Sequence, residues 1–404
     1  MVPLKAIPVG EHYFEDKLDR DIRYPIDLYQ CVECTAVQTL DDIGSEFLWS
    51  GYTYFSGQTK GIVNHFEKFV DSLADKLKNI QTLSVFDVGS NDGTLLSKFR
   101  DKGCRVFGID PSDTAVKRAK EIGIQTYLGL FSDTVVDELP QEWRKVDIIT
   151  AFNVFAHSAD MQGMINGIKK MLNQDGLFYF EVQYLLEISK KKLLGTIFHE
   201  HMIHYSTTSA ENFLIKNGLR LIDFEINNIQ NGSIIFCASL EGSKYPTSNK
   251  IKLQKDLEKD SGILGEMWGQ EFLKYIQDQS DQVKKIIEDY YKRNIGIVGY
   301  GAARSGPTLA IQYGLEYKIE YLIDDHASKV GKYGTFRALK VYPTSHLYKQ
   351  GEKLVVIFAW IHTKNIIKNH IDYINSGGEF LLLWPFVKII NKSNVAEYIG
   401  NMEK

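Results

Sequence analysis

The chain has 404 residues, of which 44% are hydrophobic and 24% charged, and its formal net charge is −4. This length predicts two to three domains, and the composition is typical of a folded, enzyme-like protein. Acidic and basic residues are interspersed without a basic run, so we expect no nucleic-acid partner. No stretch approaches the roughly 18 apolar residues that span a bilayer, and the N-terminus lacks the apolar core of a signal peptide. We therefore expect a cytoplasmic protein with no membrane partner.

The four cysteines are too few and too dispersed for a disulfide framework, which agrees with a reducing compartment. They are Cys31, Cys34, Cys104 and Cys237. Only Cys31 and Cys34 have the spacing of metal ligands, and a structural zinc ion takes four ligands, usually as two such pairs. We therefore regard zinc as doubtful and expect no metal site.

The first α/β pattern begins with a helix. Apolar residues recur at helical spacing over residues 62–79, and "LSVFDVGSNDG" then predicts a strand that enters a glycine-rich turn. Further buried strands are predicted at "RVFGID", "VDIITAFNV" and "GLFYFEVQ", with helical segments between them. Such alternation predicts a mainly parallel sheet with helices on both faces.

A second α/β pattern follows a charged helical stretch at residues 248–292. Its strands are predicted within "IGIVGYGAARSGPT", "IEYLIDD", "KLVVIFAW" and "GGEFLLLWP". The predicted fold class is therefore α/β, with two Rossmann-like domains and a small N-terminal domain. We assign residues 1–79 to the small substrate or lid domain, 80–247 to the first Rossmann-like domain with the histidine-rich segment, and 248–404 to the helical connector and second Rossmann-like domain.

The first glycine turn carries acids, which suit a cationic ligand better than a dinucleotide pyrophosphate. S-adenosylmethionine has no phosphate and carries a cationic amino group and a sulfonium. In "GIDPS", Asp110 and Pro111 follow the next strand, where an acid can bind ribose hydroxyls. Candidate cofactor residues in the turn itself are Asp87, Gly89, Asn91, Asp92 and Gly93. The alternative is that Asp87 caps a helix and Asp110 is an ordinary turn residue.

The second glycine turn favours a phosphate. In "VGYGAARSGPT", the glycines, the helix that follows and the guanidinium of Arg304 are all compatible with an anion. Candidate ligand residues here are Gly301, Arg304, Ser305, Asp324 and Lys329. A plain strand-to-helix turn is the alternative, because the pattern only approximates G-x-G-x-x-G.

Three histidines surround Glu200 in "GTIFHEHMIHYS". The zinc-protease pattern His-Glu-x-x-His fails here because Ile203 stands where the second histidine is needed and His204 comes one residue late. In an extended segment His199 and His201 share a face and Glu200 points away, so one histidine can orient the other. The alternative is that the histidines are structural and satisfied by backbone groups.

Together these stretches resemble the S-adenosylmethionine-dependent sugar C-methyltransferases of deoxysugar biosynthesis, which methylate C3 of a nucleotide-linked 4-keto-sugar. The similar stretches include "CVECTAVQ", "YTYFSG", "DVGSNDGTLL", "NVFAH", "FEVQYLLE", "FHEHMIHYS" and "GYGAARSGPTL". The resemblance implies S-adenosylmethionine as cofactor and a sugar nucleotide as partner.

The resemblance also implies roles for individual residues. His201 is the expected base, with Glu200 and His199 in support. The expected donor to the enolate oxygen is Tyr54, with Tyr52 as second choice and a further substrate contact. Asn153 and His157 are expected beside the transferred methyl group.

Four departures from the family pattern stand out. The family's first Cys-x-x-Cys pair has no counterpart, so we expect no four-cysteine zinc site within one chain. Phe198 stands in place of tyrosine, Ile235 in place of the arginine of "GGSxR", and the usual Pro-Gly is missing after Lys329. Because such positions are expected to contact the sugar nucleotide, the acceptor is expected to differ from the usual one.

Three hypotheses remain open at this stage. The first is C-methylation of a nucleotide-linked keto-sugar, and the second is O- or N-methylation of a sugar nucleotide. The third is a non-catalytic protein that binds sugar nucleotides. We expect a monomer or a weak homo-oligomer.

Overall fold

The computed structural model describes residues 1–10, 12–17, 21–44, 48 and 54–400. Tyr52 lies outside these residues, so its expected substrate contact stays a prediction. Among the helices within the described ranges, none is both long and apolar enough to cross a membrane.

Up to residue 183 the elements are β1 (Tyr13–Phe14), β2 (Tyr29–Gln30), β3 (Val37–Gln38), α1 (Lys60–Lys76), β4 (Ser84–Val88), α2 (Thr94–Asp101), β5 (Arg105–Asp110), α3 (Asp113–Glu121), β6 (Thr126–Leu128), β7 (Val146–Phe152), α4 (Met161–Met171) and β8 (Leu172–Gln183). From residue 185 they are α5 (Leu185–Lys191), β9 (Ile203–His204), α6 (Thr207–Lys216), β10 (Leu219–Asn227), β11 (Ser233–Leu240), α7 (Lys250–Asp260), α8 (Met267–Lys292), β12 (Ile297–Tyr300), α9 (Ser305–Gln312), β13 (Leu322–Asp324), β14 (Tyr333–Gly334), β15 (Val341–Pro343), β16 (Leu354–Ile357), α10 (Thr363–Asn369), α11 (Ile371–Asn375), β17 (Glu379–Leu382), β18 (Lys388–Ile390) and α12 (Val395–Gly400).

The first sheet has the strand order β10-β11-β8-β7-β4-β5-β6 over the described residues. The strands from β8 to β6 are parallel, and β11 runs antiparallel between β8 and β10. All five residues of β4 are buried, as expected for a central strand with helices on both faces. The carboxyl ends of β4, β5, β7 and β8 meet at one edge, which is where ligands bind in open α/β sheets.

The second sheet has the order β15-β13-β12-β16-β17-β18 over the same described part of the chain. Its strands are parallel except β18, which pairs antiparallel with β17. The strand order reverses between β12 and β16, so the glycine turn after β12 lies at the switch point of this sheet. The prediction of an α/β protein with two Rossmann-like domains is confirmed.

Helix α1 packs on the first sheet, although we assigned it by sequence to the N-terminal domain. The ring of Phe69 lies 4.7 Å from Phe152 and 5.4 Å from Tyr179, centroid to centroid. Phe66 and Val70 of the same helical face are buried in this cluster. The helix therefore covers one face of the first sheet.

The N-terminal residues connect both α/β domains. Strand β1 pairs with β14 beside the second sheet, and β3 pairs with β2 and with β9, which belongs to the histidine segment. The hydroxyl of Tyr13 donates to the carbonyl of Ala302 at 2.7 Å. This region therefore lies against the second glycine turn at one end and the histidine segment at the other.

Candidate active site

Two buried carboxyl groups lie at the edge of the first sheet. Asp87, at the end of β4, accepts a hydrogen bond from Thr150 Oγ1 at 2.6 Å, and burial, followed by the charge of Asp110, raises the pKa of Asp87 to about 7. Asp110, at the end of β5, accepts backbone hydrogen bonds from Asn91 and Ser112, each at 2.8 Å. Burial raises the pKa of Asp110 as well. A cationic or hydroxyl-bearing ligand would stabilise the ionised form of both carboxyl groups.

The turn that separates these acids depends on Gly89. Gly89 has a φ of +69°, and a Cβ atom there would lie 2.3 Å from Val154 Cγ2. Its neighbour Ser90 has a buried Oγ without a hydrogen-bond partner among the described residues. Gly93, also at positive φ, is the N-cap of α2, while Pro111 is exposed after Asp110. An unpaired hydroxyl and two buried acids around a close-approach turn fit S-adenosylmethionine.

The side chains of Asn91 and Asp92 form hydrogen bonds to the backbone of residues 54–57. Asn91 Oδ1 accepts from the backbone N–H of Ser56 at 3.0 Å, and its Nδ2 donates to the carbonyl of Tyr54 at 3.0 Å. Asp92 Oδ2 accepts from the N–H of Gly57 at 2.9 Å. We call residues 54–57 the strap. These two side chains therefore fix the strap over the first glycine turn, a role that the sequence did not indicate.

The histidine segment, residues 195–206, forms a turn, so the shared face that an extended segment would give His199 and His201 does not arise. The N–H of His201 donates to the carbonyl of Phe198 at 2.9 Å, which closes the turn. The ring Nδ1 of His201 lies 2.7 Å from the carbonyl oxygen of Thr196. Because a carbonyl oxygen can only accept, Nδ1 carries the ring proton and Nε2 of the neutral imidazole presents its lone pair.

Aromatic rings surround the imidazole of His201. The ring of His157 stacks on it at 5.0 Å and 26°, and the ring of Phe198 lies 4.0 Å away. His204 stands perpendicular to it at 6.3 Å. Phe198, the departure from the family tyrosine, therefore packs directly on the expected base.

All three of these imidazoles are held in the neutral form. Burial lowers the pKa of His201 well below its ordinary value, and repulsion from His157 and His204, when these are protonated, and from Arg304 lowers it further. Burial, with Arg304 and His204, lowers the pKa of His157 to about 3. Burial alone lowers the pKa of His204 to about 4. At neutral pH this cluster can accept a proton but does not already carry one.

His199 turns away from His201. Its ring meets Tyr24 edge to face at 5.9 Å, and its Nε2 lies 3.3 Å from the carbonyl oxygen of Tyr24. Burial lowers the pKa of His199. Its contacts attach the segment to the N-terminal residues, which contradicts the idea that it orients His201.

The second domain contributes Arg304 to the same region. Arg304 Nε lies 3.8 Å from Glu200 Oε1, and the guanidinium carbon lies 6.0 Å from the ring centroid of Tyr54. Glu200 is buried, and Tyr54 is partly exposed on the strap. The structure therefore brings together Arg304 of the second glycine turn, Glu200 of the histidine segment and Tyr54 of the strap, all of which were predicted site residues.

The other candidates of the second turn have internal partners. Asp324 accepts from the N–H groups of Ala302 and His326, each at 2.7 Å. Lys329 Nζ donates to the carbonyl of Ala302 at 2.8 Å. Ser305 Oγ donates to the carbonyl of Phe358 at 3.2 Å. Gly301, at a φ of +101°, allows the close approach of Ala359. A phosphate contact at these residues stays a prediction.

A buried carboxylate that the sequence analysis missed lies at the end of β8. Glu181 is fully buried, and its oxygens contact His65 Nε2 at 2.9 Å, Asn227 Nδ2 at 2.7 Å and Asn153 Nδ2 at 3.4 Å. Asn153 has a φ of +56° and donates its backbone N–H to the carbonyl of Glu181 at 2.9 Å. The sequence feature that could have indicated this residue is an acid within the largely apolar run "FYFEVQ".

Ile235 is paired with Glu181 across β11 and β8. Residues directly opposite in an antiparallel pair project from the same face of the sheet. The family arginine at this position would therefore lie beside Glu181, and here His65 supplies the partner. The expectation that this departure alters the sugar contact stays a prediction.

Cys31 and Cys34 form a tight turn. The backbone N–H groups of Cys34 and Glu33 point to the Cys31 sulfur and lower the pKa of its thiol, whereas burial raises the pKa of Cys34. Within the described part of the chain, no three or more His, Cys, Asp and Glu side chains converge as a metal site.

Comparison with known proteins finds two family matches. The family described as "Methyltransferase domain" matches residues 63–223, and that described as "C-methyltransferase C-terminal domain" matches residues 228–385. The C-methyltransferase NovU of Streptomyces niveus is 26% identical over 96% of this chain and 92% of that protein. A ubiquinone biosynthesis O-methyltransferase of Bartonella tribocorum is 29% identical, over 36% of this chain and 64% of that protein.

Similar solved structures cover about half of the chain. The PH0226 protein of Pyrococcus horikoshii aligns with a TM-score of 0.39 and 16% identity, over 49% of this chain and all of that one. The magnesium protoporphyrin IX methyltransferase of Synechocystis, solved with bound S-adenosylhomocysteine, gives a TM-score of 0.36 and 21% identity, over 46% of this chain and 88% of that one.

Proposed function

Because this chain belongs to the S-adenosylmethionine-dependent C-methyltransferases, we propose that it methylates the carbon beside the ketone of a nucleotide-linked sugar. S-adenosylmethionine supplies an electrophilic methyl group when it is bound. A carbon next to a ketone becomes a nucleophile only after its proton is removed, so the protein must supply a base.

The observation that carries the proposal is the orientation of His201. Its Nδ1–H donates to Thr196 O, so Nε2 has its lone pair available to take the carbon-bound proton. Burial and the neighbouring charges keep the ring neutral. The stacked ring of His157 and the tilted ring of Phe198 restrict its rotation, which holds the base in one direction.

Cofactor binding is proposed for the edge of the first sheet. Asp87 and Asp110 are suited to the cationic amino group and the ribose hydroxyls, and Gly89 allows the ligand to approach the backbone. Asn153 is held by Glu181 at the neighbouring strand ends, which supports its proposed place beside the methyl group.

The position of the histidine segment between the domains supports a reaction shielded from water. Thr308 Oγ1 of α9 donates to the carbonyl of Ile197 at 2.7 Å. Gly195 lies against Trp360 so closely that a Cβ would be 2.2 Å from the indole nitrogen. Exclusion of water strengthens electrostatic interactions at a site of proton removal.

The sugar nucleotide is proposed from the resemblance and from the second domain. The similarity to the NovU C-methyltransferase extends over both α/β domains, whereas the ubiquinone O-methyltransferase is similar to about a third of the chain. A second Rossmann-like domain beside the base is suited to a nucleotide, which supports a sugar nucleotide over a free small molecule.

Proton exchange tests the proposal. A keto-sugar nucleotide is incubated with the protein in deuterated water without cofactor, and NMR should detect exchange of the proton beside the ketone. Addition of S-adenosylmethionine should then give one methyl mass gain at that carbon. His201→Asn should lose both activities by about 100-fold or more and keep cofactor affinity. Methylation without exchange would instead indicate an O- or N-methyltransferase, and cofactor binding without either would indicate a non-catalytic protein.

A further inference from the structure

Arg304 belongs to the second glycine turn by sequence, but its side chain contacts Glu200 of the histidine segment. Its Nε lies 3.8 Å from Glu200 Oε1, and its guanidinium carbon lies 6.0 Å from the centroid of Tyr54. The side chain is only 19% exposed. A cation in this position is close to the base and to the expected tyrosine donor.

The backbone of the second glycine turn forms hydrogen bonds with other parts of the protein. The N–H of Ala302 donates to Asp324, and the carbonyl of Ala302 accepts from both Tyr13 and Lys329. A Cβ on Gly10 would lie 2.5 Å from the carbonyl oxygen of Arg304, so the N-terminal residues cover the turn closely. These contacts fix the backbone of the turn, but none of them explains why the guanidinium of Arg304 lies beside Glu200.

The surroundings of the guanidinium fit the stabilisation of negative charge. Glu200 is buried on one side, and the neutral imidazoles of His157 and His201 are close enough for the charge of Arg304 to lower their pKa values. A positive charge in a buried site favours any anion formed beside the base. Arginine also keeps its charge at every relevant pH and offers five N–H donors.

We propose that Arg304 is a catalytic residue delivered by the second domain, whose guanidinium stabilises the negative charge that forms on the acceptor oxygen. The proposal rests on the proposed function. Glu200 holds the guanidinium in place, and the ring centroid of Tyr54 lies 6.0 Å from the guanidinium carbon.

The chemical step balances without a further reactant. His201 Nε2 takes the proton from the carbon, the C–H electron pair becomes the C=C bond, and the carbonyl π pair moves to the oxygen beside Arg304. The oxygen pair then re-forms the C=O bond, the C=C π pair bonds to the methyl carbon, and the S–CH3 pair leaves with sulfur. The products are the methylated ketone, S-adenosylhomocysteine and a proton that leaves His201 for water.

The test replaces Arg304 by Met and by Lys. Arg304→Met should slow deuterium exchange of the keto-sugar nucleotide by about 100-fold or more, as expected for the loss of one oxyanion donor, and leave cofactor affinity within about threefold. Arg304→Lys should recover part of the rate. Arg293→Met removes an exposed arginine at the end of α8 and should exchange at the wild-type rate.

A second readout does not depend on the acceptor. NMR titration of the imidazole protons should give higher pKa values for His157 and His201 in Arg304→Met, because a positive charge has been removed. Unchanged titration together with wild-type exchange would overturn the proposal. If the wild-type protein itself exchanges no keto-sugar nucleotide, the proposed function fails, and the titration alone decides: an upward shift supports the placement of the Arg304 charge, and no shift overturns it.

Discussion

Asp87 has a carboxyl group whose pKa is raised to about 7, mainly by burial. It is therefore largely protonated at pH 6 and largely ionised at pH 7.5, and a cationic ligand binds the ionised form better. We expect the affinity for S-adenosylmethionine to rise roughly eightfold between these pH values. Isothermal titration calorimetry at both pH values measures the change.

The matched variants are Asp87→Asn and Asp113→Asn. Asp87→Asn should bind more weakly and lose the pH dependence, since its amide does not titrate. Asp113 is an exposed acid on α3 that pairs with Lys117, so its variant should retain the wild-type behaviour. Equal pH dependence in all three proteins would contradict an interaction between Asp87 and the ligand cation.

His204 is buried, and neither of its ring nitrogens has a hydrogen-bond partner among the described residues. Its pKa is lowered to about 4, so between pH 6.5 and pH 4 the unfolded chain binds more protons than the folded one. Stability is therefore lost as the pH falls through this window. At pH 5 the loss from this residue is about 2 kcal/mol.

His204→Leu should remove that loss without breaking a hydrogen bond. We expect the variant to gain about 2 kcal/mol over wild type at pH 5, relative to their difference at pH 7.5. Urea unfolding at the two pH values gives both free energies. His362→Leu, at an exposed position, is the control. A pH-independent difference for His204→Leu would mean that His204 titrates in the folded protein as it does in the unfolded chain.

The turn that precedes His201, the proposed base, is packed against the second domain. Gly195 has no space for a side chain, because a Cβ would lie 2.2 Å from Trp360 Nε1. Gly195→Ala should therefore cost about 1–3 kcal/mol of stability through overpacking. It should also lower kcat, because a shift of the turn moves Thr196 O away from His201 Nδ1.

Gly61→Ala is the opposite case. Gly61 is exposed within α1 and has open space around it, so alanine should stabilise the helix by up to about 1 kcal/mol and leave kcat unchanged. Thermal unfolding and steady-state kinetics of both variants test the pair. Equal activity of the two would show that the fit between Gly195 and Trp360 has no part in positioning the base.

The elements themselves could be predicted from the sequence because local patterns determine them. Apolar runs that end in glycine turns predicted the strands. The same runs predicted that Asp87 and Asp110 lie at the ends of two neighbouring strands. The roles that were missed depend on contacts between distant residues. Asn91 meets the strap 35 residues earlier in the chain, and His65 meets Glu181 at a separation of 116 residues.

The turn at the histidine segment was also beyond local reasoning. An alternation of polar and apolar residues is compatible with an extended strand, but the contacts of Thr308 with Ile197 and of Tyr24 with His199 accompany a turn instead. Likewise, the sequence placed Arg304 correctly in a glycine turn but could not give the direction of its side chain. Both features depend on the second domain and the N-terminal residues.

For the whole molecule, the shared contacts predict coupled unfolding of the two α/β domains. The N-terminal residues contact the second domain through β1 and the histidine segment through β3. S-adenosylmethionine at 100 times its Kd should add about 2.7 kcal/mol of stability. In calorimetry we expect one peak that moves as a unit. Two peaks, of which only one moves, would show that the domains unfold independently.

The pairing of β1 with β14 also constrains when this part of the fold can form during translation. Tyr13 and Phe14 are synthesised more than 300 residues before their partners Tyr333 and Gly334. At typical rates of translation this interval is roughly 15–60 s. Over that time the first domain can fold on the ribosome, while the early strand stays unpaired. The pairing of β1 with β14 therefore forms only after the first α/β domain has been synthesised.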